Sequence, residues 1–229
     1  MTAPIANDSP LSVLLIGATG GMGVQILHQL SEQASKPIIH ALVRDPNKIA
    51  PEDEKLYETI VKGNARDASD NQRAIDECQV DVIVIAVGNG DNLSKVGNDI
   101  RFANARAVSA VLTQPQYQSI RLVVVSSNGA GPTKIKVGMG IGKAIAFHLR
   151  HVLRDHTNQE EALQPVQDRT VILRPTTLTD KPSKDGKPIY FGDKEKPPTI
   201  NISRADVAGV VAEEIYSTSG KTINLTNAK

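Results

Sequence analysis

The residues best suited to chemistry in this 229-residue chain form a glycine-rich segment near its start. Gly17, Gly20 and Gly23 follow the apolar run VLLI and precede a segment with helical periodicity. The first glycine permits a tight exit from a strand, the second lets backbone N–H groups approach a ligand, and the third allows close packing of the helix on the sheet. Because the first N–H groups of a helix attract anions, this spacing predicts a cradle for a dinucleotide diphosphate. The predicted cradle comprises Gly17, Thr19, Gly20, Gly21, Met22 and Gly23; the alternative is a tight turn with no ligand.

An arginine after the second apolar run bears on which dinucleotide is bound. An acidic residue about 20 positions after the glycines usually holds the ribose 2′-hydroxyl of NAD, whereas arginine accommodates a 2′-phosphate. Here that place is held by Arg44 in ALVRD, and a guanidinium can bind phosphate through paired hydrogen bonds. We therefore predict NADP(H) as cofactor, with Lys48 as a further basic contact. Alternatively, Arg44 pairs with Asp45 on the surface.

The elements that must position these residues follow an alternating pattern. Short β-branched runs alternate with longer amphipathic segments, which is typical of β-α-β units around a buried parallel sheet. We predict an α/β fold: a single Rossmann-type, doubly wound, mostly parallel sheet with helices on both faces, over residues 11–229, after a flexible N-terminus at 1–10. The predicted strands are Ser12–Gly17, Ile38–Val43, Leu56–Lys62, Val80–Val87, Ser119–Ser126, Arg169–Arg174, Thr199–Ile202 and Thr222–Leu225. The predicted helices are Met22–Ser35, Ser69–Asp76, Lys95–Thr113, Gly140–Leu163 and Arg204–Tyr216.

Residues 180–198 contain four of the thirteen prolines among lysine, aspartate and glycine. This composition predicts a loop. Because it follows a strand, it is either a flap over a substrate or a plain surface excursion.

Composition narrows the class of protein. With 26 basic and 25 acidic residues and 40% hydrophobic residues, the chain is neither disordered nor strongly charged, so we expect no nucleic acid or membrane partner. The single cysteine, Cys78, precludes an internal disulfide. The first residues lack the basic and apolar regions of a secretion signal, and the longest apolar run, Val82–Val87, is too short to span a bilayer. We expect a soluble, cytoplasmic protein.

Several further segments extend the glycine motif into a family resemblance. They are GATGGMG at 17–23, VRDP at 43–46, GNARD at 63–67, AVG at 86–88, VVVSSNGAG at 123–131, VILRPTTLTD at 171–180 and ISRADVAGVV at 202–211. From about Leu11 to Thr226, the chain resembles the atypical short-chain dehydrogenase/reductase group that includes flavin reductase/biliverdin reductase B and the NmrA-like NAD(P)-binding proteins. This resemblance implies a Rossmann fold and an NAD(P)-dependent activity.

The resemblance also implies roles for individual positions. Asn64 and Ala65 would face the adenine, although the family commonly has aspartate at position 64. The remaining implied cofactor contacts are Ala86, Val87 and Gly88 along the ribose nearest the nicotinamide, Pro175 and Thr176 beside its carboxamide, and Ser126 at the end of the fifth strand. Ser127 would be the active-site serine; the alternative is that both serine hydroxyls only cap the strand end.

The usual proton donor of the wider family is missing. Ordinary members carry Tyr-x-x-x-Lys on the fifth helix, but the segment FHLRHVLRDHTNQEEALQ has neither residue. Tyr190 and Lys194 have the right spacing, but they lie in the proline-rich segment, so we interpret the match as coincidence. His156 is the best local candidate for orienting an acceptor or relaying a proton; the alternative is a histidine on an exposed helix face. Glu160 either orients His156 or is simply solvated.

Two further sequence patterns, a histidine cluster and a glycine-rich segment, resemble binding sites but do not predict one. His148 and His151 share a helix face, but His156 lies off it and no cysteine or carboxylate pair completes a ligand set, so we predict no metal. The segment GMGIGKA at 138–144 lacks the first glycine and the final serine or threonine of a P-loop, and we interpret it as leading into the fifth helix.

These observations predict an NADP(H)-dependent oxidoreductase that transfers hydride to a flavin-like, quinone-like or conjugated small-molecule acceptor. One alternative is an NmrA-like regulatory protein that senses NADP without turnover and has a protein partner. Another is an isomerase or epimerase that uses the same cofactor pocket.

Overall fold

Strands and helices alternate along the computed structural model, which describes residues 9–88, 99–133, 147–181 and 187–228. The strands are β1 Ser12–Ile16, β2 Ile38–Val43, β3 Thr59–Lys62, β4 Val82–Ile85, β5 Arg121–Val125, β6 Thr170–Pro175, β7 Thr177–Thr179, β8 Pro188–Phe191, β9 Asn201–Ser203 and β10 Lys221–Asn227. The helices are α1 Gly21–Ser31, α2 Pro51–Glu54, α3 Ala68–Cys78, α4 Ile100–Leu112, α5 Arg150–Ala162 and α6 Arg204–Glu214. Short 3₁₀ turns occupy Pro46–Lys48, Pro115–Tyr117 and Gln164–Arg169.

Eight strands form one sheet in the order β3-β2-β1-β4-β5-β6-β10-β8. All neighbours in it pair in parallel except β8, which is antiparallel to β10. Strand β1 pairs with both β2 and β4, so the strand order reverses beside it, and ligands of such folds bind at the carboxyl ends of the strands at that point. The Rossmann-type fold predicted from the sequence is confirmed.

The alternation of side chains along β1 divides the core into two layers. Val13 and Leu15 point to one face, and Leu14 and Ile16 point to the other. Helices α1 and α6 cover the first face with Ile26, Leu27, Leu30, Val207 and Val211. Helices α3, α4 and α5, with the turn that follows α5, cover the second with Ile75, Val108, Leu112, Leu163 and Val166. This coverage of both faces explains why apolar residues occupy consecutive positions in the central strands, as in VLLI of β1, VIVI of β4 and LVVV of β5.

The sequence predicts a loop over residues 180–198, but part of this segment is a strand. Their described part contains β8, which adds an antiparallel edge to β10, while residues 182–186 lie outside the described segments. The short strands β7 and β9 pair with each other in a second, two-stranded parallel sheet. The predicted helix 140–163 is described only from α5 onward, and GMGIGKA at 138–144 lies outside the described segments.

Within the described segments, no helix has both the length and the apolar character needed to cross a membrane.

Candidate functional site

A cleft of about 750 Å³ lies at the carboxyl ends of the parallel strands, where β1 separates β2 from β4. Its volume is in the range typical of small-molecule and cofactor sites. The predicted cofactor contacts, Ser127 and His156 line this cleft, with two exceptions: Gly23, which lies in α1, and Lys48, which lies in the 3₁₀ turn after β2. The fold therefore gathers residues that are spread over 160 positions of the sequence, from Gly17 to Thr176, into one cavity.

The glycine-rich turn needs glycine at two positions where the backbone packs closely on neighbouring backbone. Gly17 has φ of +100°, and a Cβ there would lie 2.6 Å from the carbonyl carbon of Ala86. A Cβ at Gly23 would overlap the carbonyl oxygen of Gly17. Gly20 caps α1 without a side-chain hydrogen bond, so the first N–H groups of the helix have no side-chain acceptor at the cap. These residues fit a nucleotide diphosphate, since free N–H groups and the positive helix end face the cleft.

Arg44 lies at the end of β2, is exposed, and contributes to the cleft wall. The carboxylate of Asp45 does not pair with it but accepts a hydrogen bond from the Asn47 backbone N–H at 3.2 Å, which caps a 3₁₀ turn. Among the described residues, no carboxylate oxygen lies within 4.0 Å of the Arg44 guanidinium nitrogens. The guanidinium is therefore available to a ligand.

Two buried asparagines, which have no motif in the sequence, hold the backbone at Ala65 after β3. The side-chain amides of Asn71 and Asn104 both donate to the Ala65 carbonyl oxygen, at 3.0 and 2.8 Å. Asn64 is exposed, and its side-chain oxygen accepts from the Arg66 backbone N–H at 3.2 Å. The side-chain oxygen of Asn64 is thus already used in a local turn, and Ala65 is held in place at the cleft wall.

Ser126 is held by a buried ion pair at the end of β5. Its hydroxyl donates to Glu160 Oε1 at 2.6 Å, and Arg174 donates to both oxygens of Glu160 at 2.9 and 2.6 Å. Both charged side chains are about 6% exposed. Both alternatives predicted for Glu160 are therefore wrong: its carboxylate does not orient His156, and it is not solvated. It binds the Arg174 guanidinium and the Ser126 hydroxyl instead.

Ser127 and the Pro175–Thr176 turn lie beside Ser126 at the same end of the cleft. The Ser127 hydroxyl is half-buried and donates to the Asn128 carbonyl oxygen at 3.2 Å. Thr176 is buried, and its hydroxyl shares a hydrogen bond with that of Thr226 at 2.9 Å. Ser127 is thus the more accessible of the two serines.

His156 projects from α5 into the cleft and is buried, in contrast to the exposed position considered from the sequence. Its Nδ1 lies 3.4 Å from Gln159 Oε1. Burial, helped by the positive charge of Arg101, holds the pKa of His156 well below its usual range. The imidazole is therefore neutral near neutral pH.

The outer end of the cleft has two apolar walls, which sequence reasoning missed. Leu149, Val152 and Leu153 line one wall at helical spacing with His156, and Leu178, Pro197 and Ile200 line the other. The i, i+3, i+4, i+7 spacing of the first set is a signal that could have been found. The second set comes from residues on β7 and just before β9, which have no strong periodicity.

Two arginines were also missed. Arg204, the first residue of α6, lies near the glycine turn, since a Cβ at Gly21 would be 3.6 Å from its Nε. Arg101, in the first turn of α4, is 8% exposed and pairs with Asp155. Arg101 occupies the apolar stripe of α4, and a charge at such a position is a sequence signal for a paired buried group.

Neither His148 nor His151 lines the cleft. In the described segments, no group of three His, Cys, Asp or Glu side chains is arranged to hold a metal ion.

Comparison with known proteins agrees with this geometry. A family model described as NAD(P)H-binding matches residues 17–218. A comparison with curated proteins finds no significant match.

Solved structures resemble the chain along nearly its whole length. The anaerobilin reductase ChuY from Escherichia coli O157:H7 is 25% identical, with a TM-score of 0.69, and the match covers 96% of this chain and 97% of that one. A candidate NAD-dependent epimerase/dehydratase from Bacillus halodurans is also 25% identical, with a TM-score of 0.73 and coverage of 95% and 94%. A short-chain dehydrogenase/reductase (wide type) from Veillonella parvula, in complex with NADP, is 15% identical with a TM-score of 0.74 and coverage of 96% and 95%; at this identity the likeness concerns the fold.

The resemblance predicted from the sequence is confirmed, because the NAD(P)H-binding family model matches most of the chain and the similar structures include a reductase and a short-chain dehydrogenase/reductase in complex with NADP. The chain belongs to the NAD(P)H-binding family.

Proposed function

We propose that the protein is an NADP(H)-dependent reductase that transfers hydride to a flavin-like, quinone-like or conjugated small molecule. The observation that carries the choice of nucleotide is the free guanidinium of Arg44 at the end of β2. A carboxylate at this place would repel a 2′-phosphate, whereas Arg44 can bind it with paired, charge-assisted hydrogen bonds.

The chemistry of the cleft supports an acceptor that needs little acid catalysis. When bound, the nicotinamide supplies the hydride. The neutral imidazole of His156 is a hydrogen-bonding group and not a cationic acid, and Ser127 provides an accessible hydroxyl in the same cleft. The apolar walls formed by Leu149, Val152 and Leu153 and by Leu178, Pro197 and Ile200 suit a flat ring system. A conjugated acceptor delocalises the electrons it receives and takes its proton from water.

The proposed roles divide along the cleft. The glycine turn, from Gly17 to Met22, binds the diphosphate, and Arg44 binds the 2′-phosphate, while Asn64 and Ala65 border the adenine. Further cofactor contacts are proposed for Ala86, Val87, Gly88, Ser126, Pro175 and Thr176. Ser127 and His156 orient the acceptor.

The nucleotide preference is tested with Arg44→Asp. We expect the dissociation constant for NADPH to rise about 10- to 100-fold, since charge-assisted hydrogen bonds are lost, and that for NADH to change little. Calorimetry on purified protein measures both constants. The control is Arg106→Asp, which makes the same charge change at an exposed position of α4 outside the cleft. Equal losses for NADPH and NADH would contradict the role of Arg44.

Turnover is tested by following NADPH oxidation with FMN and with 2-methyl-1,4-naphthoquinone. We expect both Ser127→Ala and His156→Ala to lower kcat while leaving the affinity for NADPH nearly unchanged. Tight binding without oxidation of NADPH by any acceptor would instead favour a sensor with a protein partner. Conversion of a substrate without net consumption of NADPH would identify an isomerase or epimerase.

A further inference from the structure

Arg101 is a buried cation at the cleft whose hydrogen-bonding capacity is only partly used. Its Nη1 donates to Asp155 Oδ2 at 3.2 Å, whereas its Nε is buried without a partner in the described part of the chain. Its Nη2 forms no hydrogen bond with the described residues and is directed toward the end of β4, where a Cβ added to Gly88 would lie 3.6 Å away. Arg101 and Gly88 both line the cleft. An arginine buried in this way presents an unused donor to a ligand.

Asp155, the partner of Arg101, accepts hydrogen bonds from backbone donors as well. Asp155 accepts hydrogen bonds from the backbone N–H groups of Arg101 and Phe102, at 3.3 and 3.0 Å, and so caps the start of α4. The positive charge of Arg101 also acts on His156. It is the second cause of the lowered pKa of that imidazole, and burial is the larger cause. The guanidinium of Arg101 and the neutral imidazole of His156 therefore line the same cleft.

This arrangement has a chemical use if the proposed function holds, on which the inference rests. When a neutral conjugated acceptor receives a hydride, two electrons and one proton enter it, the nucleotide is oxidised, and the acceptor becomes an anion. Water then supplies one proton to give the neutral reduced product. Donors fixed in advance at the place where charge develops are a principal source of rate acceleration.

We propose that Arg101 stabilises the negative charge that forms on the acceptor, and so provides electrostatically what the missing tyrosine and lysine would provide by proton transfer. Nη2, beside Gly88, is the donor that contacts the acceptor. Asp155 holds the guanidinium in place and is a positioning residue. The same site should bind stable planar anions more tightly than their neutral counterparts.

The test compares two flat probes on protein saturated with NADP⁺: 2-hydroxy-1,4-naphthoquinone, which is anionic at neutral pH, and uncharged 2-methyl-1,4-naphthoquinone. In Arg101→Gln, we expect the dissociation constant of the anion to rise about 10- to 100-fold, and that of the neutral probe to change by less than about twofold. Arg106→Gln, at an exposed position of the same helix outside the cleft, is the matched control and should leave both constants unchanged. Equal changes for the two probes, or no change, would overturn the proposal, as would failure of the wild type to bind the anion.

Arg101→Gln leaves the buried Asp155 carboxylate without its counter-ion, so the variant can unfold. Arg101→Gln/Asp155→Asn removes both charges while keeping hydrogen-bonding groups, and we expect the same selective loss of the anionic probe. In turnover assays, both variants should lower kcat with little effect on the KM for NADPH. If the wild type oxidises no NADPH, the proposed function fails, while the ratio of the two dissociation constants still decides the role of Arg101.

Discussion

At the scale of single residues, burial fixes the charge of the histidine in the cleft. His156 is surrounded by Arg101, which opposes its protonation, by Gln159, and by a cleft wall of Leu149, Val152 and Leu153. The adjacent Asp155 has its carboxylate directed to α4, and Glu160 is directed to Arg174. Neither carboxylate offsets the cost of charging the imidazole, so His156 stays neutral.

The depressed pKa of His156 predicts a pH dependence of stability. Below the ordinary pKa of about 6.5, the unfolded chain takes up a proton that the folded protein does not. Because the unfolded state then binds more protons, the free energy of unfolding falls as pH decreases below that value. Urea unfolding at pH 7.5 and pH 5 measures this loss, which we expect to be smaller in His156→Asn than in the wild type.

His151→Asn provides the control for removal of one imidazole from α5, because His151 lies outside the cleft lining. An identical pH dependence in the wild type and His156→Asn would contradict the neutral state of His156.

The limits of prediction from sequence are clearest at individual residues. Gly17, Gly20, Arg44 and Ser127 could be expected at the cleft, which they line, because a local motif, or the resemblance it leads to, marks their places. Arg101 could be recognised only as a buried charge on the apolar stripe of α4, since its partner Asp155 lies 54 positions along the chain, on α5. A contact between distant elements leaves no spacing pattern in the sequence.

At the scale of elements, the packing of α1 on β1 depends on a glycine inside the helix. Gly23→Ala should lower stability and weaken NADPH binding, because the new Cβ would overlap the Gly17 carbonyl oxygen and push the helix off the turn. Gly209→Ala is the matched control: it also lies inside a helix, α6, but no described atom beyond its chain neighbours and the backbone of its own helix lies within 4 Å of its Cβ position. We expect Gly209→Ala to stabilise by about 0.5–1 kcal/mol. Chemical unfolding and calorimetry compare the two variants, and equal effects would show that the close contact is unimportant.

The buried ion pair between Glu160 of α5 and Arg174 of β6 should contribute to stability. Glu160→Gln breaks the buried pair with Arg174 and weakens the hold on Ser126, so we expect a loss of about 3–5 kcal/mol in the free energy of unfolding. The control is Glu77→Gln, because the Arg73–Glu77 pair is exposed and its loss should cost less than about 1 kcal/mol. Guanidinium unfolding measures both, and a loss as small as that of the control would show that the buried pair contributes little.

Elements with strong periodicity could be predicted, and those defined by pairing could not. Strands β1 and β4 are recognisable because both of their faces are buried. Strand β8 is four residues long, and only its antiparallel pairing with β10 makes it a strand. Strand β7, three residues long, is likewise defined by its pairing with β9, whereas the predicted strand Thr199–Ile202 overlaps β9.

At the scale of the whole molecule, the cleft joins segments from both halves of the chain, so ligand binding should stabilise the entire fold. Its walls include the ends of β1 and β2 from the first half and residues of α5 and β6 from the second. A ligand that binds only the folded state shifts the unfolding equilibrium by mass action.

The rate at which the Cys78 thiol is labelled would measure this shift in the unfolding equilibrium. Its side chain is buried, and burial raises the pKa of its thiol to about 11, so the folded protein should resist alkylation at neutral pH. Labelling then requires opening of the fold around α3. NADPH at 100 times its dissociation constant should stabilise the folded state by about 2.7 kcal/mol and slow labelling about 100-fold where opening is global. Thiol labelling followed by mass spectrometry measures the rate, with NADH at the same concentration as the comparison. If NADPH leaves the rate unchanged at saturation, α3 opens without the cleft, and the two halves of the sheet do not unfold as one unit.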